Sequence, residues 1–270
     1  MSATAPRLRV SADDLGTPEA AWLSSPRLLG APQLTTGDLA AGTDPLVGAR
    51  RVLVLAPHPD DEVLAVGGLL ATLASEGWGV DVLAVTDGEG SHPRSRRVTP
   101  RGLAELRATE RDLALARLGI ARARVTRLGC PDSAVASVHD LPERIVDHLR
   151  HDRGVRVCLA PWVHDGHPDH DAVGRAAHVA CAASGVELLE YPVWAWHWAQ
   201  PDTALPWSRV RRFVLGAGAQ AAKRAAIAAY RSQIEPLGPD EGDQAILAPP
   251  VLARFHRPFE TLFLCPVDRS

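Results

Sequence analysis

From Arg51 onward, short runs of apolar and β-branched residues alternate with helix-length segments. That alternation restricts the chain to an α/β fold, with a mostly parallel sheet covered on both faces. Val52 to Ala56 reads as a first buried strand, and a helix follows from Glu62 to Glu76, ending at Gly77. Val80 to Thr86 is the second strand, Gly102 to Leu118 a helix, and Arg124 to Leu128 the third strand. Leu141 to His151 reads as helix, Val155 to Ala160 as strand, Asp169 to Ala183 as helix behind Pro168, and Glu187 to Val193 as strand. A strand at Val210 to Leu215, a helix at Ala217 to Ser232 and a strand at Thr261 to Leu264 complete the pattern. Residues 1–48, rich in Pro, Gly, Ser and Thr, read as an irregular N-terminal arm in front of one domain at 49–270.

Composition removes several function classes. Lys plus Arg number 29 against 32 Asp plus Glu, a formal charge of -3, so there is no basic field for nucleic acid. The apolar stretch Val63 to Ser75 is too short to cross a bilayer. Arg7 and Arg9 have no apolar stretch behind them, which makes a cytoplasmic location the expectation. Cys130, Cys158, Cys181 and Cys265 are dispersed with no C-x-x-C pair, and they read as reduced thiols.

In open α/β sheets ligands bind beyond the carboxyl ends of the strands. Two segments there carry chemistry: His58-Pro59-Asp60-Asp61-Glu62 after the first strand, and His167-Pro168-Asp169-His170-Asp171 after the fourth. One aspartate would be explained as a helix cap. Two adjacent aspartates and a histidine, where a dinucleotide-binding chain carries a glycine-rich turn, ask for more. His58, Asp61 and His170 have the ligand types of a catalytic Zn²⁺ site with three protein ligands, a set that Fe²⁺ also fits. Asp60 is then free to act as general base toward water. His167, in its protonated form, is placed to stabilise an oxyanion and give a proton to a departing amine, with Asp169 orienting it.

The two motifs, within Ala56-Pro57-His58-Pro59-Asp60-Asp61-Glu62 and His167-Pro168-Asp169-His170, resemble those of the PIG-L/LmbE family of metal-dependent N-deacetylases. The resemblance implies a Rossmann-like three-layer sandwich (LmbE-like) and removal of the N-acetyl group from an N-acetylated amino sugar by activated water. It also implies zinc on His58, Asp61 and His170. Arg107-Ala108-Thr109-Glu110 and Gly129-Cys130-Pro131-Asp132 resemble further family segments, which suggests Arg107 and Asp132 as contacts to sugar or phosphate. A surface ion pair for Arg107 and a turn role for Asp132 are the structural alternatives. Where thiol-sugar deacetylases of the family carry a tyrosine, this chain has Val163-His164-Asp165-Gly166.

The expected partner is a small amino-sugar substrate, and a homo-oligomer is left open. Two other readings stay beside the leading one: an amidase or deacylase on another amide, such as a thiol conjugate, antibiotic or lipid glycoside, and a noncatalytic sugar-binding module. Trp194-Ala195-Trp196-His197-Trp198 reads as a core or oligomer contact, or as a stacking wall for a sugar. Arg94, Arg96 and Arg97 read as a surface loop, or as a border of the cleft that attracts an anion.

Overall fold

The structure, a computed structural model, describes residues 15–40, 50–151, 154–201 and 205–265; the Arg7 and Arg9 segment lies outside them. Among the described residues the helices are α1 (Glu19–Leu23), α2 (Pro26–Leu29), α3 (Thr36–Ala40), α4 (Asp61–Ser75), α5 (Pro100–Arg117), α6 (Leu141–His151), α7 (Pro168–Ser184), α8 (Ala195–Trp198), α9 (Ala217–Ile227), α10 (Arg231–Ile234) and α11 (Pro249–Leu252). The strands β1 (Arg51–Ala56), β2 (Gly79–Ala84), β3 (Arg124–Arg127), β4 (Val155–Pro161), β5 (Glu187–Tyr191), β6 (Val210–Val214) and β7 (Phe259–Leu264) form one sheet in the order β3-β2-β1-β4-β5-β7-β6. The first five strands of that order are parallel, and β7 and β6 add antiparallel ladders at one edge.

The central strand shows why the sheet is covered on both sides. Val52, Val54 and Ala56 join the cluster that holds Val63, Val66, Leu69, Leu70 and Leu73 of α4, with Ala114 and Leu115 of α5. Leu53 and Leu55 join the opposite cluster, with Ile145 and Leu149 of α6 and Val173 and Ala177 of α7. Apolar residues at both parities of one strand bury both faces, the pattern of a three-layer sandwich. The chain runs from β1 outward to β2 and β3, then returns to start β4 on the other flank of β1. The carboxyl ends of β1 and β4 therefore flank the crevice where strand order reverses.

Two features depart from the sequence reading. The 1–48 segment was read as irregular, yet its described part carries α1 to α3 and packs firmly. Trp22 is fully buried, its indole N–H donates to Trp196 O (3.0 Å), and its ring meets Trp196 edge-on at 4.9 Å. Arg257 lies over the Trp196 ring at 4.2 Å and pairs with Glu19 at 2.6 Å. Helices of four or five residues are too short to show a period. The expected single helix Ala217 to Ser232 is broken between Ile227 and Arg231, with no glycine or proline there to signal it. Glu110 of α5 holds the corner by accepting from the Ser232 backbone N–H (2.7 Å) and hydroxyl (2.6 Å).

One tie joins the C-terminal strand to the central layer. Glu260 of β7, paired with the buried Lys223 at 2.7 Å, accepts the N–H groups of Gly68 and Leu69 in mid-α4, both at 2.7 Å. The four cysteines are free, with Cys130, Cys158 and Cys181 buried. Among the described residues no helix is long and apolar enough to cross a membrane.

Candidate active site

The end of β1 delivers His58, and the chain turns into α4 through Asp60, a non-glycine residue at φ 136°. That conformation is strained for any residue with a Cβ, so the surroundings must impose it. The Asp60 backbone N–H donates to Glu62 Oε2 (3.2 Å), and the Asp60 carboxylate meets the Arg107 guanidinium at 3.1 Å. Asp61, the first residue of α4, turns its carboxylate back onto the His58 backbone N–H (2.9 Å). Beyond β4, Pro168 occupies the first turn of α7, and His167 caps that helix by accepting the Asp169 N–H on Nδ1 (3.2 Å).

Three atoms from these two loops converge. His58 Nδ1 lies 3.4 Å from Asp61 Oδ2, His170 Nε2 lies 3.2 Å from the same oxygen, and the two imidazole nitrogens are 3.3 Å apart. Tetrahedral coordination with bonds of about 2.0–2.1 Å requires ligand atoms roughly 3.3–3.4 Å apart. The spacing and the donor set therefore suit a single divalent ion.

The far nitrogen of each histidine faces carboxylate. His170 Nδ1 is 2.8 Å from Asp165 Oδ2, and His58 Nε2 is 3.3 Å from both Asp132 Oδ1 and Asp169 Oδ2. Such partners fix the ring orientation and raise ligand basicity. Asp165 is completely buried and also accepts the backbone N–H groups of Val193, Trp194 and Ala195, each at 2.9 Å. Asp165→Asn is expected to lower metal affinity about 10–100-fold with the fold intact. Metal titration against circular dichroism checks this, and an unchanged affinity would count against it.

Burial and charge set the protonation states. In His170 burial opposes the charge, but Asp61 and Asp165 outweigh it and raise the imidazole to about 9. Burial likewise opposes charge on His58, and Asp132, Asp169 and Asp61 hold it well above its ordinary value. Asp61 lies well below the usual carboxylate range, because His170 and His58 outweigh its burial. Asp60 is pushed up to about 8 by burial, with Asp61 and Glu62 adding and Arg107 opposing. His167 falls to about 3 through burial and the neighbouring His170 and His58.

Several expected contacts are placed differently. The Asp169 carboxylate does not orient His167; it accepts the backbone N–H groups of Ser133 (2.7 Å) and Val135 (3.0 Å) and faces His58. The hydrogen bond between Asp169 and His167 runs through the Asp169 backbone N–H. The sequence reading expects a protonated His167; burial and the neighbouring His170 and His58 favour the neutral ring instead, and an Nδ1 that accepts the Asp169 N–H leaves the proton of that ring on Nε2. Arg107 is 2% exposed and gives its guanidinium to Pro59 O (2.7 Å), Gly88 O (2.9 Å) and Asp60, so it braces the loop rather than lying open to a sugar. Asp132 accepts the Gly90 N–H (2.8 Å) and stands beside His58. Arg94 and Arg97 pair with Glu241 (2.9 Å) and Asp243 (3.1 Å), which fits the surface-loop reading better than the anion-attracting one.

The tryptophan cluster divides. Trp196 belongs to the core, and Trp198 stacks on Trp162 at 6.3 Å while donating to Asp165 O (2.7 Å). Trp194, half-buried, lies nearly parallel to His167 with centroids 6.2 Å apart. Asp165, Glu62 and Tyr230 were not read as site residues. No spacing rule ties Asp165 to His170, and Tyr230 lies 168 positions from the glutamate that it bonds.

Comparison with known proteins agrees with this architecture. A model of the PIG-L family, described as GlcNAc-PI de-N-acetylase, matches residues 53–181. The chain is 28% identical over 145 residues to the diacetylchitobiose deacetylase of Thermococcus kodakarensis, covering 53% of each protein. It is 31% identical over 204 residues to the 1D-myo-inositol 2-acetamido-2-deoxy-alpha-D-glucopyranoside deacetylase 1 of Catenulispora acidiphila, covering 66% of this chain and 61% of the relative. The chain thus spans between half and two thirds of the length of these relatives. In fold it resembles the N,N'-diacetylchitobiose deacetylase of Pyrococcus horikoshii, with TM-score 0.58 and 21% identity over 75% of this chain and 76% of the other. Residues 53–181 thus match the PIG-L family, and they hold both loops of the site.

Proposed function

We propose that this chain is a divalent-metal-dependent hydrolase that removes the N-acetyl group from an acetamido sugar or its glycoside, releasing acetate and a free amine. The observation that carries the reading is Asp60 standing next to three donor atoms spaced 3.2–3.4 Å apart. His58, Asp61 and His170 would hold the ion; Zn²⁺ suits them best, and Fe²⁺ fits the same set. When bound, such an ion polarises an amide carbonyl and acidifies water to a pKa of about 7.

The remaining steps belong to the chain. Asp60, with its side chain on Arg107 and its backbone on Glu62, takes a proton from water as the water oxygen attacks the amide carbon. A cation beside Asp60 favours the carboxylate that this step needs, against the burial and the neighbouring Asp61 and Glu62 that raise it to about 8. The same carboxyl group then returns the proton to nitrogen as the C–N bond breaks. His167, neutral with its proton on Nε2, donates a hydrogen bond to the developing oxyanion.

In support of this substrate class, two relatives are named for deacetylation of diacetylchitobiose and of an acetamido-glucopyranoside, both N-acetylated sugars. Acetate release from a panel of N-acetylglucosaminides, measured with metal content, tests the proposal. Metal-loaded protein that releases no acetate from any of them would overturn it. Trp194, beside His167, offers a flat apolar face to a sugar ring. Trp194→Ala is expected to raise KM about 5–10-fold, with kcat within about twofold. An unchanged KM in steady-state assays would remove Trp194 from the substrate contact.

A further inference from the structure

We propose that Tyr230 is a positioning residue for Asp60, acting through Glu62. The inference rests on the reading of Asp60 as the base. It begins with the strained Asp60 backbone at φ 136°, whose N–H donates to Glu62 Oε2 at 3.2 Å. The other oxygen of that carboxylate, Oε1, accepts the Tyr230 hydroxyl at 2.7 Å. Glu62 is 0% exposed and Tyr230 is 1% exposed, so water does not replace either bond. A buried carboxylate with its donor removed relaxes toward another partner, and here the group set free is the one that holds Asp60 in its unusual conformation.

The corner that carries Tyr230 is itself tied to the site. Tyr230 sits between α9 and α10, where its N–H donates to Ile227 O (3.1 Å). Glu110 clamps the next turn through both the backbone and the side chain of Ser232. Arg107, one helical turn before Glu110 on α5, reaches the Asp60 carboxylate directly. The pair Arg107 and Glu110 thus converges on Asp60 by two routes: Arg107 on the side chain, and Glu110 by way of Ser232, Tyr230 and Glu62 on the backbone. A single helix face sets both the position and the tilt of that carboxylate.

The test is a double-mutant cycle on metal-loaded enzyme. Tyr230→Phe is expected to lower kcat about tenfold, with KM and metal stoichiometry unchanged. In an Asp60→Asn background the same substitution is expected to have no further effect, because the residue it positions has lost its function. Tyr230→Phe with unchanged kcat, or an equal loss in both backgrounds, would overturn the positioning role. Asp60→Asn enzyme with normal turnover would instead overturn the reading of Asp60 as base, and the proposal with it. Glu62→Gln provides a second variant: its amide carbonyl can still accept the Asp60 N–H, and it should retain more kcat than Glu62→Ala. Equal losses in the two Glu62 variants would count against the route through Glu62.

Discussion

Asp60→Asn is expected to reduce turnover by about 10²–10⁴ while leaving metal content unchanged. The substitution keeps size and shape, and the asparagine carbonyl can still accept from Arg107, as the carboxylate does at 3.1 Å. What disappears is the capacity to take and return a proton. The metal-free variant should also melt at or above the temperature of the parent at pH 7. Burial raises the folded pKa of Asp60 to about 8. Its contribution to stability is therefore complete below the unfolded value and is lost as pH rises through about 8, so replacing the carboxylate removes a cost. Turnover, metal analysis and melting curves on one preparation check all three expectations. Loss of metal from the variant would place Asp60 among the ligands instead.

His170→Ala is expected to abolish both metal binding and turnover, and to destabilise the fold by about 3–5 kcal/mol. His170 is fully buried between Asp61 at 3.2 Å and Asp165 at 2.8 Å, and its removal leaves Asp61 without a main counter-charge. The same electrostatics predict how an ion binds. Without metal, His170 is raised to about 9 and His58 is raised well above its ordinary value, so both hold protons at neutral pH. A divalent cation takes the place of those protons, and affinity should increase with pH up to about 9. Calorimetry in buffers of different ionisation heat should find about two protons released per ion at pH 7. Binding that is independent of pH would contradict the proposed ligand set.

Much of this site could be read from local spacing. The unbroken apolar run Val52 to Ala56 marked a buried strand, and the motif residues after β1 and β4 follow directly from strand ends. The strand order that sets those ends side by side produced the convergence of His58, Asp61 and His170. The missing parts depend on distant contacts. Asp165 holds His170 and three amides of the 193–195 turn, and nothing in its neighbours announces that. The resemblance of the Arg107 to Glu110 segment to a family motif suggested a substrate contact, and sequence carries no measure of the burial that places Arg107 against the loop instead. Trp22 lay in a segment too short for periodicity, and its partner Trp196 is 174 residues away.

The tie between β7 and α4 has a consequence for modularity. The matched family segment stops at residue 181, before β5, β6, β7 and the α9–α10 corner. Excised alone, residues 53–181 would lose the carboxylate that accepts the Gly68 and Leu69 amides and the phenol that bonds Glu62. They would also leave one flank of β4 without its ladder to β5. The matched block is thus not built to fold alone, and any chimera that transplants its chemistry must bring the distal third of the chain along.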